Sequence, residues 1–247
     1  VSLLETRGVS VRFGGHTALH VVDLDAEAGA VTGLIGPNGA GKTTLFNAVT
    51  GLQPIDGGRV SLDGVDLHRL KPHQRARLGI ARTFQRLEVF GSLTVRENVL
   101  IGAELRKSWG HGPVDPPHDA DALLERLGLV EFAAERADTL PTGHARMVEL
   151  GRALATRPRV LLLDEPASGL SDGETETLSG VLGELAASGI AVLLVEHDVR
   201  LVMEVCTSIH VLDYGALLAV GTPAQIRTDP KVLDAYLGTP VAGGGAG

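Results

Sequence analysis

Apolar and polar residues alternate along the first part of the chain. "LLETRGVSVRF" and "TALHVVDLDAE" each show the period of two that marks half-buried strands, with glycines at 14–15 and at 29 supplying turns. "VTGLIG" (31–36) predicts a short buried strand, followed by a Gly-rich loop and a helical "KTTLFNAVTGL". "GGRVSLDGVDL" (57–67) predicts strand–turn–strand, and from Pro72 to about Arg157 the pattern turns mostly helical. Thr94 and Glu97 in "LTVRENVLIGA" form a capping box that opens one of these helices. "SWGHGPVDPPH" (108–118) predicts a polar Pro/Gly-rich loop within that region. After Pro158 the α/β rhythm returns with "VLLLDEP", a helix near 172–188, "IAVLLVEHD", another helix and a hairpin around Tyr214–Gly215. The plan is one α/β core, residues 1–85 and 158–240, interrupted by a helical insert at 86–157; the flexible tail 241–247 is expected to fray.

Composition narrows this plan. The 247 residues suit one α/β domain with an inserted subdomain, and 44% hydrophobic against 21% charged residues supports a sizeable core. A net charge of −8 argues against a nucleic-acid partner, which calls for a basic face. The single cysteine, Cys206, excludes an intramolecular disulfide and fits a reducing compartment. Apolar runs such as "IAVLLV" (190–195) fall far short of the roughly 20 residues a membrane span needs. The charged, alternating start is no signal peptide. The chain is therefore expected to be soluble, with any membrane role exercised through a partner. Its first residue is Val, not Met, which fits trimming from something longer.

Two segments carry chemistry. "GPNGAGKTT" (36–44) matches G-x-x-x-x-G-K-[ST] between a buried strand and a helix. In that context the loop Gly36, Pro37, Asn38, Gly39, Ala40 and Gly41 would wrap phosphates: its glycines let backbone N–H groups turn inward, and the helix N-terminus adds partial positive charge. Lys42 would reach the β/γ-phosphates, Thr43 would hold Mg²⁺, and Thr44 continues the loop into the helix. "VLLLDEP" (160–166) reads as a strand buried in a parallel sheet, with its acids at the C-terminal end where such sheets place ligands. Asp164 would bind the metal through water, and Glu165 would polarise the attacking water as general base. ATP and Mg²⁺ are the expected ligands.

With these motifs and three further ones, the chain resembles the ATP-binding subunits of ABC transporters over essentially its whole length. "VRFGG" places Phe13 where that family has the aromatic that stacks on adenine. "ARTFQ" places Gln85 at the Q-loop, which touches the Mg²⁺/water cluster and faces the membrane subunit. "VEHD" places His197 at the switch histidine that contacts the γ-phosphate. The resemblance implies an α/β fold of ABC ATPase type: a P-loop NTPase core, an N-terminal antiparallel β subdomain and an inserted helical subdomain. It also implies transmembrane permease subunits, a second ATPase subunit, and a place on the cytoplasmic face of the plasma membrane, peripheral through the permease. "GIARTFQ…LEVFGSLTVREN" and "GTPAQIRTDPKVLDAYLG" are most similar to the ATPases of branched-chain amino-acid importers.

The chain departs from the family pattern in two places. Ser171 stands where many relatives carry the D-loop Asp. The signature loop, usually Leu-Ser-Gly-Gly-Gln, reads Leu140-Pro141-Thr142-Gly143-His144. Gly143 keeps the close backbone approach, Thr142 returns a hydroxyl, and His144 is a polar group at the helix start, so the loop reads as weakened and not lost. That loop acts on the nucleotide of the opposing subunit. Its erosion, beside an intact set of groups acting on the chain's own nucleotide, favours a sister chain over a second copy as partner. The basic run Arg69, Lys71, Arg75, Arg77, Arg82 and Arg86 reads equally as a partner surface or a solvated helix face. His111, Asp115, His118 and Asp119 read as a plain surface loop. The competing function is a soluble ABC-type ATPase acting as an assembly scaffold or on another non-transport partner.

Overall fold

The computed structural model describes residues 2–110 and 113–237; His111 and the 241–247 tail lie outside the described residues. Strands β1 (Ser2–Phe13) and β2 (His16–Glu27) form an antiparallel hairpin. The chain then enters β3 (Val31–Ile35), which belongs to a second sheet, and helix α1 (Lys42–Thr50). It returns to the first sheet as β4 (Gly57–Leu62) and β5 (Val65–Asp66), completing the order β2-β1-β4-β5. Helix α2 (Pro72–Arg77) leads into β6 (Ile80–Arg82). The helices α3 (Val95–Ser108), α4 (Pro116–Arg126) and α5 (Thr142–Ala155) follow. The remainder alternates: β7 (Val160–Asp164), α6 (Asp172–Ala187), β8 (Ala191–Val195), α7 (Val199–Val205), β9 (Ser208–Asp213), β10 (Ala216–Gly221), α8 (Pro223–Ile226) and α9 (Pro230–Leu237).

The second sheet has the order β10-β9-β3-β8-β7-β6, parallel except for the edge strand β10. Its strands read as continuous apolar runs because each feeds two cores. Val160 and Leu162 of β7 pack with α1 and the first sheet, whereas Leu161 and Leu163 pack with α5 and α6. β8 divides its residues in the same way, with Val192 and Leu194 on the helical side. All six are fully buried. Among the helices, Gly102 of α3 lies so close to the Arg152 carbonyl of α5 that a Cβ would collide with it.

The structure corrects two readings and adds to a third. The stretch from Pro72 is mostly helical as read, but it includes β6, which pairs in parallel with β7 and adds an edge to the main sheet. The loop after α3 is shorter than 108–118, because α4 begins at Pro116, where proline suits the first helical turn. The basic run is not one surface. Arg75 is buried and donates to the Ala48 and Val49 carbonyls at the C-terminal end of α1, and Arg82 is buried inside the molecule. The Thr94–Glu97 capping box opens α3 as read.

Candidate nucleotide-binding site

The C-terminal ends of four adjacent parallel strands meet at one place. β3 delivers the loop 36–41, β8 delivers Glu196 and His197, β7 delivers Asp164 and Glu165, and β6 delivers Gln85 through a short extended segment. The loop is tight. A Cβ on Gly36 would collide with the Leu212 carbonyl oxygen, and one on Gly41, at φ 106°, would sit 2.7 Å from the Ala18 carbonyl. Only glycine allows so close an approach with a positive φ. Pro37, Asn38, Gly39 and Ala40 complete the turn, and Thr43 and Thr44 begin α1, with Thr43 exposed. Lys42 is buried, and its Nζ donates to the Gly36 carbonyl at 2.6 Å and the Pro37 carbonyl at 3.0 Å. Burial lowers the pKa of its ammonium below the ordinary lysine value, while the nearby Glu165 and Asp164 carboxylates oppose that shift.

Glu165 gathers the other expected groups. Its backbone sits at φ 52°, an uncommon value for a residue with a side chain, and its N–H donates to Val195 of the neighbouring strand at 2.8 Å. Gln85 Nε2 donates to Glu165 Oε2 at 3.1 Å. His197 Nε2 lies 2.8 Å from Glu165 Oε1. One carboxylate thus gathers side chains from two different strand ends.

Two residues of this site carry no motif of their own. Arg82 Nη2 pairs with Asp164 Oδ2 at 2.8 Å, and its Nη1 donates to Asn47 at 2.6 Å; its guanidinium lies near the rings of Phe46 and Phe84. The run of basic residues around Arg82 hides it in the sequence. The signal that could have found it is an arginine in a strand beside the buried Asp164. Glu196 is buried and accepts N–H bonds from Ala167 at 2.6 Å and His197 at 2.9 Å, tying the loop after β8 to the loop after β7. Burial raises its pKa, and those N–H groups oppose the rise.

Phe13 and the 140–144 loop stand apart from this cluster. Phe13 is half exposed at the β1–β2 turn, opposite His16. Its hairpin partner β2 runs against the phosphate-loop glycine through Ala18. Pro141 precedes the first turn of α5, where its missing N–H costs nothing. Gly143 is buried under the Glu174 carboxylate, which a Cβ would strike. Glu174 is fixed there by Ser171, whose N–H and hydroxyl both reach its Oε2 at 2.7 Å as the capping box of α6. Those two bonds hold the carboxyl pKa below its usual range. His144 lies against the Phe132 ring at 4.4 Å between centroids, with Nδ1 3.9 Å from Glu174 Oε1.

A metal fits the first cluster by its donor chemistry. Asp164 Oδ1 is buried with no hydrogen-bond partner. Among the described residues no group of three or more His, Cys, Asp or Glu is assembled to hold an ion. That sparse set matches a cation such as Mg²⁺, which takes one or two protein oxygens and draws the rest from phosphate and water.

A phosphate loop after β3 with acid, amide and imidazole at the neighbouring strand ends defines an ATP-hydrolysing cassette. Residues 19–168 match the ABC transporter family, and residues 216–242 match the branched-chain amino acid ATP-binding cassette transporter family. The chain belongs to the ABC transporter ATP-binding family and is an ABC-type ATPase. It is 42% identical to the high-affinity branched-chain amino acid transport ATP-binding protein BraF of Pseudomonas aeruginosa, over 96% of this chain and 98% of BraF. It is 41% identical to LivG of Escherichia coli K12, which carries the same description, with the same coverage. Among solved structures, a nucleotide-free ATP-binding cassette from an ABC transporter superposes with a TM-score of 0.87 at 32% identity, covering 97% of this chain and all of that one.

Proposed function

We propose that this chain is the ATP-binding and hydrolysing subunit that powers an ABC importer for branched-chain or other amino acids. The observation that carries the reading is the convergence of Gln85 and His197 on Glu165 beside the Lys42 loop. Lys42 leaves the Gly36 and Pro37 carbonyls for the β- and γ-phosphates, the loop N–H groups and the α1 N-terminus hold phosphate oxygens, and Phe13 stacks on adenine. Thr43 and Asp164, with Gln85 nearby, would hold Mg²⁺, which when bound would neutralise charge on the transferring phosphoryl group. Glu165 accepts the proton of the attacking water, and His197 turns from Glu165 toward the γ-phosphate. Thr142, Gly143 and His144 meet the nucleotide of the opposing ATPase, which we take to be a sister chain.

In this reading the core is residues 1–85 and 158–240, with 86–157 as the helical subdomain that faces the permease. Among the described residues no helix is long and apolar enough to cross a membrane. In the proposed assembly the permease attaches the chain to the cytoplasmic face. The match of residues 216–242 and the two amino-acid transport relatives support import over a scaffold role. The test is uptake by vesicles carrying the chain assembled with permease subunits, a substrate-binding protein and a second ATPase. ATP enclosed with the cassettes should drive uptake of leucine, isoleucine or valine, and the purified complex should contain two different ATPases. Uptake indifferent to ATP would contradict the transport reading.

A further inference from the structure

We propose that Arg146 and Glu149 are positioning residues for Gln85, making α5 and the Glu165-bound amide move as one body. This rests on the hydrolytic site described above and names what regulates it. Residues 83–94 form neither helix nor strand, so their backbone groups must find other partners. One face of α5 supplies them. Arg146 Nη1 donates to the Phe84 carbonyl at 2.8 Å, and its Nη2 donates to the Gln85 carbonyl at 2.6 Å. Glu149 Oε1 accepts from the Phe84 N–H at 3.2 Å, while its Oε2 lies 3.6 Å from Arg146 Nη1. One turn further, Arg152 donates to the Glu88 carbonyl and stacks over Phe90 at 4.8 Å.

The cost of this arrangement argues for a use. The Arg146 and Glu149 side chains are 10% and 2% exposed, and desolvating such a pair is expensive compared with apolar packing of the same volume. What the pair supplies is fixed geometry: a forked guanidinium spanning two consecutive carbonyls sets where the Gln85 backbone lies. From there the Gln85 amide reaches Glu165 Oε2. Arg146 also stands one helical turn from Thr142 and Gly143, the groups assigned to the opposing nucleotide. A shift of α5 when that nucleotide is gripped therefore reaches Gln85, and through it the base of this chain's own site. The clamp couples the two sites.

The experiment is a double-mutant cycle on phosphate release from Mg-ATP by the assembled transporter complex. Arg146→Met should lower kcat about ten- to a hundredfold by misplacing a group at the reacting centre, with KM for ATP little changed. In a Gln85→Ala background the same substitution should have no further effect, because its action passes through Gln85. Arg146→Lys, which keeps the charge but reaches one carbonyl, should recover part of the loss; it carries the cycle if Arg146→Met does not fold. Losses that multiply independently, or a loss confined to KM, would overturn the clamp while leaving the hydrolytic site intact. Wild-type turnover in Gln85→Ala would overturn both the clamp and the role given to Gln85.

Discussion

At Asp164 a single side chain is asked to do two things. Oδ2 holds Arg82, and Oδ1, buried without a hydrogen-bond partner, is the oxygen proposed above for Mg²⁺. With the arginine removed, a carboxylate 1% exposed keeps only the more distant charge of Lys42. Arg82→Met should therefore destabilise the fold by about 3–5 kcal/mol, the usual cost of orphaning a buried charge. Urea unfolding of the variant would measure it, and a loss below about 1 kcal/mol would show that the pair is not structural. Lys42, Asp164 and Glu165 stand in motifs whose spacing answers to phosphate chemistry, and Gln85 and His197 were singled out by the family resemblance; the structure brings the last two onto Glu165. Arg82 and Glu196 were not legible in the sequence, because their roles are set by partners 82 and 29 residues away. Nothing local announces such a pairing.

Among the elements, the long ones declared themselves and the short ones did not. β7 and β8 are unbroken apolar runs, and α3 carries its own start signal. β6 has three residues, too few for a period, and exists because β7 offers an open edge. Its existence matters, since it aims the chain that bears Gln85. The capping box of α3 gives a test of how far local signals stabilise an element. Thr94 accepts from the Glu97 N–H at 3.1 Å, and Glu97 returns to the Thr94 N–H at 2.8 Å. Thr94→Ala should cost about 1 kcal/mol, read as a lowered unfolding midpoint with unchanged nucleotide affinity. A fall in affinity would mean that the start of α3 communicates with the site. Pro141 at the start of α5 shows the converse: a substitution that looks disruptive as a motif letter is acceptable at that helical position.

For the whole molecule, two cores on either side of one sheet hold a rigid strand edge, and the chemistry is spread across the loops that leave it. That division explains why Glu165 can gather Gln85 and His197 from distant parts of the chain, and why α5 can hold the loop 84–88 while its first turn stays available for the second subunit proposed above. The central claim is that Glu165 is the base of an ATP-hydrolysing site whose binding groups are separate from it. The most direct measurement is phosphate release from Mg-ATP by the Glu165→Gln complex, with nucleotide binding followed on the same sample. An amide cannot accept the proton of the attacking water, so turnover should be lost while ATP stays bound. Turnover at the wild-type rate in the Glu165→Gln protein would contradict the account.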